Sequence, residues 1–303
     1  MNRPITPQRF LLSLLALSFL SGVLHAQNGV KLQWKFNKGD KLLFEMEQAM
    51  EMKMSIAGQN IRNGNSTKTW MAWNCADVKD GIATIESTIE RMSMDMITPS
   101  GPIKFDSDDK EHSPQAAAVA QSVGGLVGKT MTQTMNGRGE ILTVELGKEV
   151  GEALGNLGGP QMADMVKQMS KQASLVLPEK PLSVGDSWNE VIETPSPAGN
   201  VRVTRTFTYK GMGQADRKGL HHFDVDLEMK FLGGPAGAKI DIVEQSTKGD
   251  LYFDASAGRV TDSSVLQNVK MRITTGGQQL DQSLNQTIKM KVSEGTAALN
   301  KAG

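Results

Sequence analysis

Residues 221–231 read HHFDVDLEMKF, and this stretch decides the fold class. Its odd-numbered positions from Phe223 to Phe231 are all apolar, and the even-numbered positions carry histidine, acids or lysine. Side chains of a strand point alternately to the two faces of its sheet, so the pattern predicts a strand with one buried and one solvated face. Clean alternation of this kind is typical of antiparallel sheets.

The same period of two recurs elsewhere in the chain, in residues 45–56, 89–96 and 284–292. Turn-forming residues separate the alternating runs and predict hairpins. These turns are Asn63-Gly64-Asn65, Lys79-Asp80-Gly81, Asn136-Gly137, Arg217-Lys218-Gly219, Ala257-Gly258 and Gly276-Gly277. The sequence therefore predicts a mainly β (α+β) protein made of curved antiparallel sheets.

Helix signals are few. Ser113 can cap a helix that has Pro114 at its first position and continues to about Val123. A second helix is predicted for residues 161–174, where methionines recur at helical spacing. Residues 147–159 repeat glycine every four positions and predict a short helix or a loop. We therefore expect two or three short helices.

A weak internal repeat indicates two related halves. Residues 36–40 and 182–186 both end in Gly-Asp and both precede an alternating run. Residues 177–181 contain two prolines and no periodicity, which is typical of a semi-rigid connector. We predict an N-terminal β half with helices over 27–176 and a C-terminal β half over 177–303. The halves either pack as a closed sandwich or share one curved sheet that leaves a groove.

The N-terminus has the pattern of a cleavable signal peptide. Arg3 and Arg9 precede an apolar run over residues 10–24, and Ala26 fits the position before a cleavage site. We expect residues 1–26 to be removed and the protein to be exported, to a periplasm or to the extracellular space. No later stretch reaches eighteen apolar residues, so no transmembrane segment is expected after cleavage.

Composition and motifs argue against several function classes. The 33 acidic and 33 basic residues balance, so no nucleic-acid partner is predicted. Cys75 is the single cysteine and is expected to be a small buried residue on a strand. His221 and His222 are adjacent on a strand and point to opposite faces, so they cannot share a metal ion. The sequence predicts no metal site, no cofactor and no catalytic residues, which favours a non-enzymatic role.

Methionine is the compositional oddity, with 18 residues in the chain. Three interpretations are open: methionine replaces leucine in an ordinary core, it lines an adaptable apolar groove, or its thioethers bind Cu(I). The second and third interpretations assign these residues a binding role. The residues we expect to line such a groove recur at strand spacing: Met50, Met52, Met54, Met92, Met94 and Met96.

Several short motifs, taken in order, carry a family resemblance. They are Trp34-Lys35-Phe36, Gly39-Asp40, Phe105-Asp106-Ser107, Leu177-Pro178-Glu179-Lys180-Pro181, Gly185-Asp186-Ser187-Trp188, Phe253-Asp254 and Gly258-Arg259-Val260. The chain resembles a family of exported bacterial proteins of unknown function, with a β-rich body of about 280 residues. At the level of fold it is also similar to the periplasmic lipoprotein carriers. That similarity implies a curved antiparallel sheet closed by helices over an apolar cavity.

Three functions follow as hypotheses. The first is a non-enzymatic envelope protein that binds a hydrophobic ligand, or a lipidated or unfolded partner. The second is a structural or protein-interaction module of the envelope. The third is a hydrolase with a site that carries no recognisable motif. The one-sided strands and the methionine clusters favour the first.

Overall fold

The computed structural model describes residues 29–56, 59–158, 160–194, 199–233 and 238–295. The expected signal peptide, residues 1–26, lies outside the described residues. The elements in chain order are β1 (Lys41–Ile56), β2 (Gln59–Lys79), β3 (Ile82–Thr98), β4 (Gly101–Asp106), α1 (Pro114–Val123), β5 (Thr130–Asn136), β6 (Ile141–Leu146), α2 (Lys148–Gly158), α3 (Pro160–Ala173), β7 (Ser187–Thr194), β8 (Asn200–Met212), β9 (His221–Leu232), β10 (Ala238–Asp254), β11 (Arg259–Thr275) and β12 (Gln278–Glu294).

All twelve strands belong to one antiparallel sheet. Along the sheet the order is β6-β5-β3-β2-β1-β12-β11-β10-β9-β8-β7. The short strand β4 pairs with the C-terminal part of β3, residues 93–98. The pairing of β1 with β12 joins the strands of the first half of the chain to those of the second. The predicted fold class, mainly β with antiparallel strands and short helices, is confirmed. The sheet is one continuous unit whose edge strands are β6 and β7.

Helix α1 begins where the sequence predicts, and α2 and α3 begin within one residue of the segments predicted at 147–159 and 161–174. Ser113 caps α1 by accepting a hydrogen bond from the amide of Ala116, and Pro114 occupies its first turn. Residues 148–158, predicted as a short helix or a loop, form α2. Helix α3 follows directly and packs against β6. Among the described residues, no helix combines the length and apolarity required to span a membrane.

One predicted turn is wrong. Asn63-Gly64-Asn65 lies inside β2, where Gly64 pairs with Glu51 of β1 and with Ile97 of β3. A Cβ at Gly64 would lie 3.5 Å from Cδ1 of Ile97, so the glycine makes room for a cross-strand neighbour. Pairing with two flanking strands overrides the local turn preference of Asn-Gly. The other five predicted turns each connect two strands.

A segment at the N-terminus, residues 29–37, shows that the sheet is strongly curved; we call it the strap. The amide of Trp34 donates to the carbonyl of Gly137, in the β5–β6 turn, over 2.8 Å. The next amide, of Lys35, donates to the carbonyl of Gly258, in the β10–β11 turn, over 2.9 Å. The two carbonyls are therefore no more than about 10 Å apart. Five inter-strand spacings separate these turns along the sheet, and in a flat sheet the distance between them would be about 24 Å.

The two edges of the curved sheet approach each other on either side of α3. This helix packs against β6, and the side chain of Gln168 donates to the carbonyl of Glu193, on β7, over 3.2 Å. The segment after α3 continues the contact, because Glu190 of β7 accepts a hydrogen bond from the amide of Val176 over 2.9 Å. The sheet is thus an open trough whose gap is bridged by a helix.

The core lies at one end of this trough, which we call the closed end. Strap residues Leu32 and Trp34 pack there with Phe223 and Phe253 of the sheet. The predicted connector also contributes, since Leu177 is completely buried in the same cluster. A second cluster, formed on the sheet by β2, β3, β5 and β6, packs against Phe36 of the strap. The connector is therefore part of the core that plugs the closed end.

Candidate functional site

The six methionines predicted to line a groove all lie on one face of the sheet. Residues directly opposite in an antiparallel pair share a face. On β1, Met50 is opposite Asn65 of β2, which is itself opposite Met96 of β3. Every second residue of β1 and β3 continues on this face, which therefore carries Met50, Met52, Met54, Met92, Met94 and Met96.

The second half of the chain extends the same face. Met52 of β1 is opposite Leu284 of β12, which is opposite Val269 of β11. The apolar alternation of β9 joins this face through the pairing of Phe223 with Leu251 of β10. We call it the inner face, because the strap packs against it. Apolar residues of the second half on this face are Leu227, Met229, Phe231, Ile240, Ile242, Val265, Val269, Met271, Ile273, Leu280, Leu284, Ile288 and Met290.

The opposite face, the outer face, is polar and carries cross-strand ion pairs. Lys270 of β11 contacts Glu244 of β10 over 2.7 Å, and Arg272 contacts Asp281 of β12 over 2.8 Å. Asp281 accepts hydrogen bonds from Arg272, and this interaction lowers the pKa of the Asp281 carboxyl. The sheet is thus apolar on its concave side and charged on its convex side.

Only part of the inner face is covered. At the closed end Phe223 and Phe253 have no exposed surface. Towards the other end, the open end, Met46 and Met50 keep 38% and 37% of their surface exposed. Met52, Met54, Met92, Met94 and Met96 are half-buried. Apolar surface that could be buried by a ligand therefore remains along the trough.

A cavity of about 590 Å³ lies at the open end. Met54, Ile61, Val243 and Met271 give it an apolar lining. Four cations also line it, and their strand pairing places all four on the outer face, each with an acidic partner: Lys53, Arg62, Lys270 and Arg272. This volume and this mixture of apolar wall and polar rim are typical of small-ligand sites.

Strands β9 and β10 separate along the trough wall. Their backbone pairing ends at Val225 opposite Gly249, although both strands continue. Beyond that point the Gln245 side chain accepts from the amide of Met229 over 2.8 Å and donates to its carbonyl over 3.3 Å. The Thr247 hydroxyl likewise donates to the carbonyl of Leu227 over 2.9 Å. Side chain–backbone hydrogen bonds thus replace the backbone–backbone hydrogen bonds, and the two strands lie further apart in this part of the sheet.

Three buried polar side chains interrupt the apolar inner face. Ser87, Gln133 and Gln267 are nearly inaccessible to solvent. The Ser87 hydroxyl and the side-chain amide nitrogens of Gln133 and Gln267 have no hydrogen-bond partner among the described residues. An unpaired buried donor costs about 1–3 kcal/mol, which an acceptor atom of a ligand would offset.

Burial shifts the pKa values of three titratable groups on the inner face, each towards the neutral form of the side chain. Burial lowers the pKa of His221, and its Nδ1 lies 2.8 Å from the Tyr209 hydroxyl. Burial also raises the pKa of Tyr209. Cys75 is buried on β2 as predicted, and burial raises the pKa of its thiol. His222 points to the outer face, so the two histidines do face opposite ways.

Comparisons with known proteins agree with the fold. Residues 80–217 match a family of unknown function, DUF6263, which confirms the resemblance to an uncharacterised family. Searching the curated proteins gives no match.

Among solved structures, one of lipovitellin has a TM-score of 0.50 at 10% identity. The alignment covers 87% of this chain and 26% of the lipovitellin chain, so this chain spans about a quarter of that protein's length. The translocator domain of the autotransporter NalP from Neisseria meningitidis aligns at a TM-score of 0.20 and 8% identity, over 85% of this chain and 90% of its own. Agreement at that level supports no argument, and the lipovitellin match bears on the fold alone.

Proposed function

We propose that this protein binds a lipid, or another ligand with a long apolar chain, along the inner face of its trough. One observation carries the proposal: the inner face of the twelve-stranded sheet is rich in apolar side chains, and it is buried at one end and partly exposed towards the other. Exposed apolar surface of this extent is unusual for a protein that has no partner for it. A flexible chain of methylene groups suits a wall of methionines, because thioether side chains adapt to varied apolar shapes.

The polar groups in the trough favour an amphiphilic ligand. The unpartnered donors on Ser87, Gln133 and Gln267 suit carbonyl or carboxylate oxygens. Fatty acids and glycerolipids combine such oxygens with a long apolar chain. The similarity to lipovitellin, whose structure concerns lipid–protein interactions, supports the proposal at the level of the fold.

The location that we propose is the cell envelope or the extracellular space. It rests on the signal-peptide pattern of residues 1–26, with Arg3 and Arg9 before an apolar run. A binder of apolar chains in that compartment would carry lipid, or the acyl group of a lipidated protein, through water. No catalytic step is part of this proposal.

The proposal is tested by displacing an apolar fluorophore. We expect 1-N-phenylnaphthylamine to become fluorescent on binding the protein and palmitate to displace it. The double variant Met52→Gln, Met94→Gln places two amides on the inner face, where each would lose hydration against an acyl chain. A loss of about 1.4 kcal/mol weakens binding by about tenfold, and two amides should reach at least that.

The matched control is Leu266→Gln. Leu266 is also an exposed apolar residue of the sheet, at 43%, but it lies on the outer face opposite Thr287 of β12. It should leave fluorophore binding unchanged. If the double variant folds with the circular dichroism of the natural protein and still binds palmitate with unchanged affinity, the inner face is not the binding surface. Binding that is lost equally in the control would point to the outer face instead.

A further inference from the structure

We propose that His222, Asp224 and Asp250 form a binding site for a divalent transition-metal ion on the outer face of the sheet. His222 and Asp224 are two residues apart on β9, so their side chains point the same way. Asp250 is directly opposite Asp224 on β10. The site is independent of the proposed ligand trough, because it lies on the other side of the sheet.

The donor atoms converge. Nε2 of His222 lies 2.8 Å from Oδ1 of Asp250 and 3.8 Å from Oδ1 of Asp224, and one donor atom from each residue falls within 4.8 Å of the others. In a tetrahedral zinc site with bonds of about 2.0–2.1 Å, neighbouring donor atoms are about 3.3 Å apart. Small side-chain rotations would therefore place all three around one ion.

Space and support for the site are present. A cavity of about 360 Å³ adjoins it and is lined by Asp224 and Asp250, which leaves room for water to complete the coordination. The imidazole of His222 is stacked on the ring of Tyr252, with centroids 4.8 Å apart and planes 10° from parallel. The guanidinium of Arg217 lies over the ring of Tyr252, 5.1 Å from its centroid, and also contacts Asp262 over 3.0 Å. These contacts restrict the orientation of the imidazole.

The donor set indicates the class of ion. One imidazole nitrogen and two carboxylate oxygens suit Zn²⁺ and neighbouring first-row ions, whereas Mg²⁺ and Ca²⁺ prefer oxygen ligands only. Three protein ligands leave a coordination position open. No sequence motif reveals the site, because its third ligand comes from another strand 26 residues beyond Asp224.

The ammonium group of Lys210 would compete with a metal ion for the carboxylate of Asp224. Its ammonium lies 3.0 Å from Oδ2 of Asp224 on the neighbouring strand β8. An ion bound by Asp224 would have to share that carboxylate with Lys210. Removing the lysine charge should therefore strengthen metal binding, an effect that a purely structural cluster would not show.

The test is isothermal titration of the full chain, without a histidine tag and after treatment with a chelator, using ZnCl₂. We expect one site, with binding weakened at least about tenfold in His222→Ala and in Asp250→Asn, since each variant removes one of three ligands. Lys210→Gln should bind about threefold more tightly. Glu228→Gln is the control, because it removes the same charge from the same strand and face, outside the ligand set and outside the cavity lining.

Circular dichroism and thermal melts without metal establish that each variant is folded. If the natural protein takes up no Zn²⁺, the proposal is wrong. It is equally wrong if Zn²⁺ binds but His222→Ala and Asp250→Asn bind as the natural protein does, since the ion then lies elsewhere. Titrations with MgCl₂ and CaCl₂ should show weaker binding than ZnCl₂, and a preference for Ca²⁺ would contradict the role of the imidazole.

Discussion

The contact between the strap and the β10–β11 turn predicts a large effect of Gly258→Ala on stability. Gly258 has a φ of +63°, and a Cβ there would lie 2.4 Å from Cγ and 2.6 Å from the amide nitrogen of Lys35. The left-handed conformation costs a residue with a Cβ about 1–2 kcal/mol. Forcing the strap away adds about 1–3 kcal/mol of overpacking. We therefore expect a loss of about 2–5 kcal/mol in the free energy of unfolding.

Gly276→Ala separates the two contributions. Gly276 has a φ of +55°, and its Cβ would meet no atom within 4 Å. This control should lose only the conformational part, about 1–2 kcal/mol. The assay is equilibrium unfolding in urea followed by circular dichroism, with the midpoints and slopes of both variants compared. If both variants lose the same free energy, the strap does not contact the turn, and the argument for curvature from Trp34 and Lys35 fails.

Two further predictions concern polar groups at the closed end. Glu190→Gln removes the carboxylate that contacts Arg205, and both side chains are less than 20% exposed. The variant should lose about 2–3 kcal/mol of the free energy of unfolding, measured by chemical denaturation. Glu193→Gln, which affects a half-exposed pair with Arg202, should cost less than about 1 kcal/mol, and equal losses would contradict the burial argument. Burial lowers the pKa of His221, so the unfolded chain binds the proton more readily than the folded protein. The contribution of His221 to stability is therefore complete above about pH 6.5 and is lost progressively as the pH falls below that value towards the lowered pKa of the folded state. The melting temperature of the natural protein should therefore fall from pH 7 to pH 5 more steeply than that of His221→Gln, and parallel curves would count against a neutral buried imidazole.

The strands and the sidedness of the sheet could be predicted from the sequence. Alternation in residues 221–231 and 45–56 identifies strands, and its parity places Met50, Met52 and Met54 on one face before any partner strand is known. Polar Asp224 and Glu228 likewise fall on the outer face. These features are local, since side-chain direction depends only on position along a strand.

The arrangement of the strands could not be predicted. Alternation does not say which strands pair, so the contact of β1 with β12, more than 200 residues apart, has no sequence signature. The curvature depends on backbone hydrogen bonds of Trp34 and Lys35 to two distant turns. The local sequence Asn63-Gly64-Asn65 predicts a turn, and the strand pairing on both sides of Gly64 that overrides it is non-local. The division into halves at residues 176 and 177 stays a prediction.

Native mass spectrometry of the protein, purified from cells that express the full chain, tests the binding of a lipid most directly. The bound material is extracted with solvent and identified. The account predicts a reproducible added mass that extracts as lipid, with lower occupancy in Met52→Gln, Met94→Gln than in Leu266→Gln. A bare protein mass, together with no binding of the fluorophore or palmitate, would contradict it.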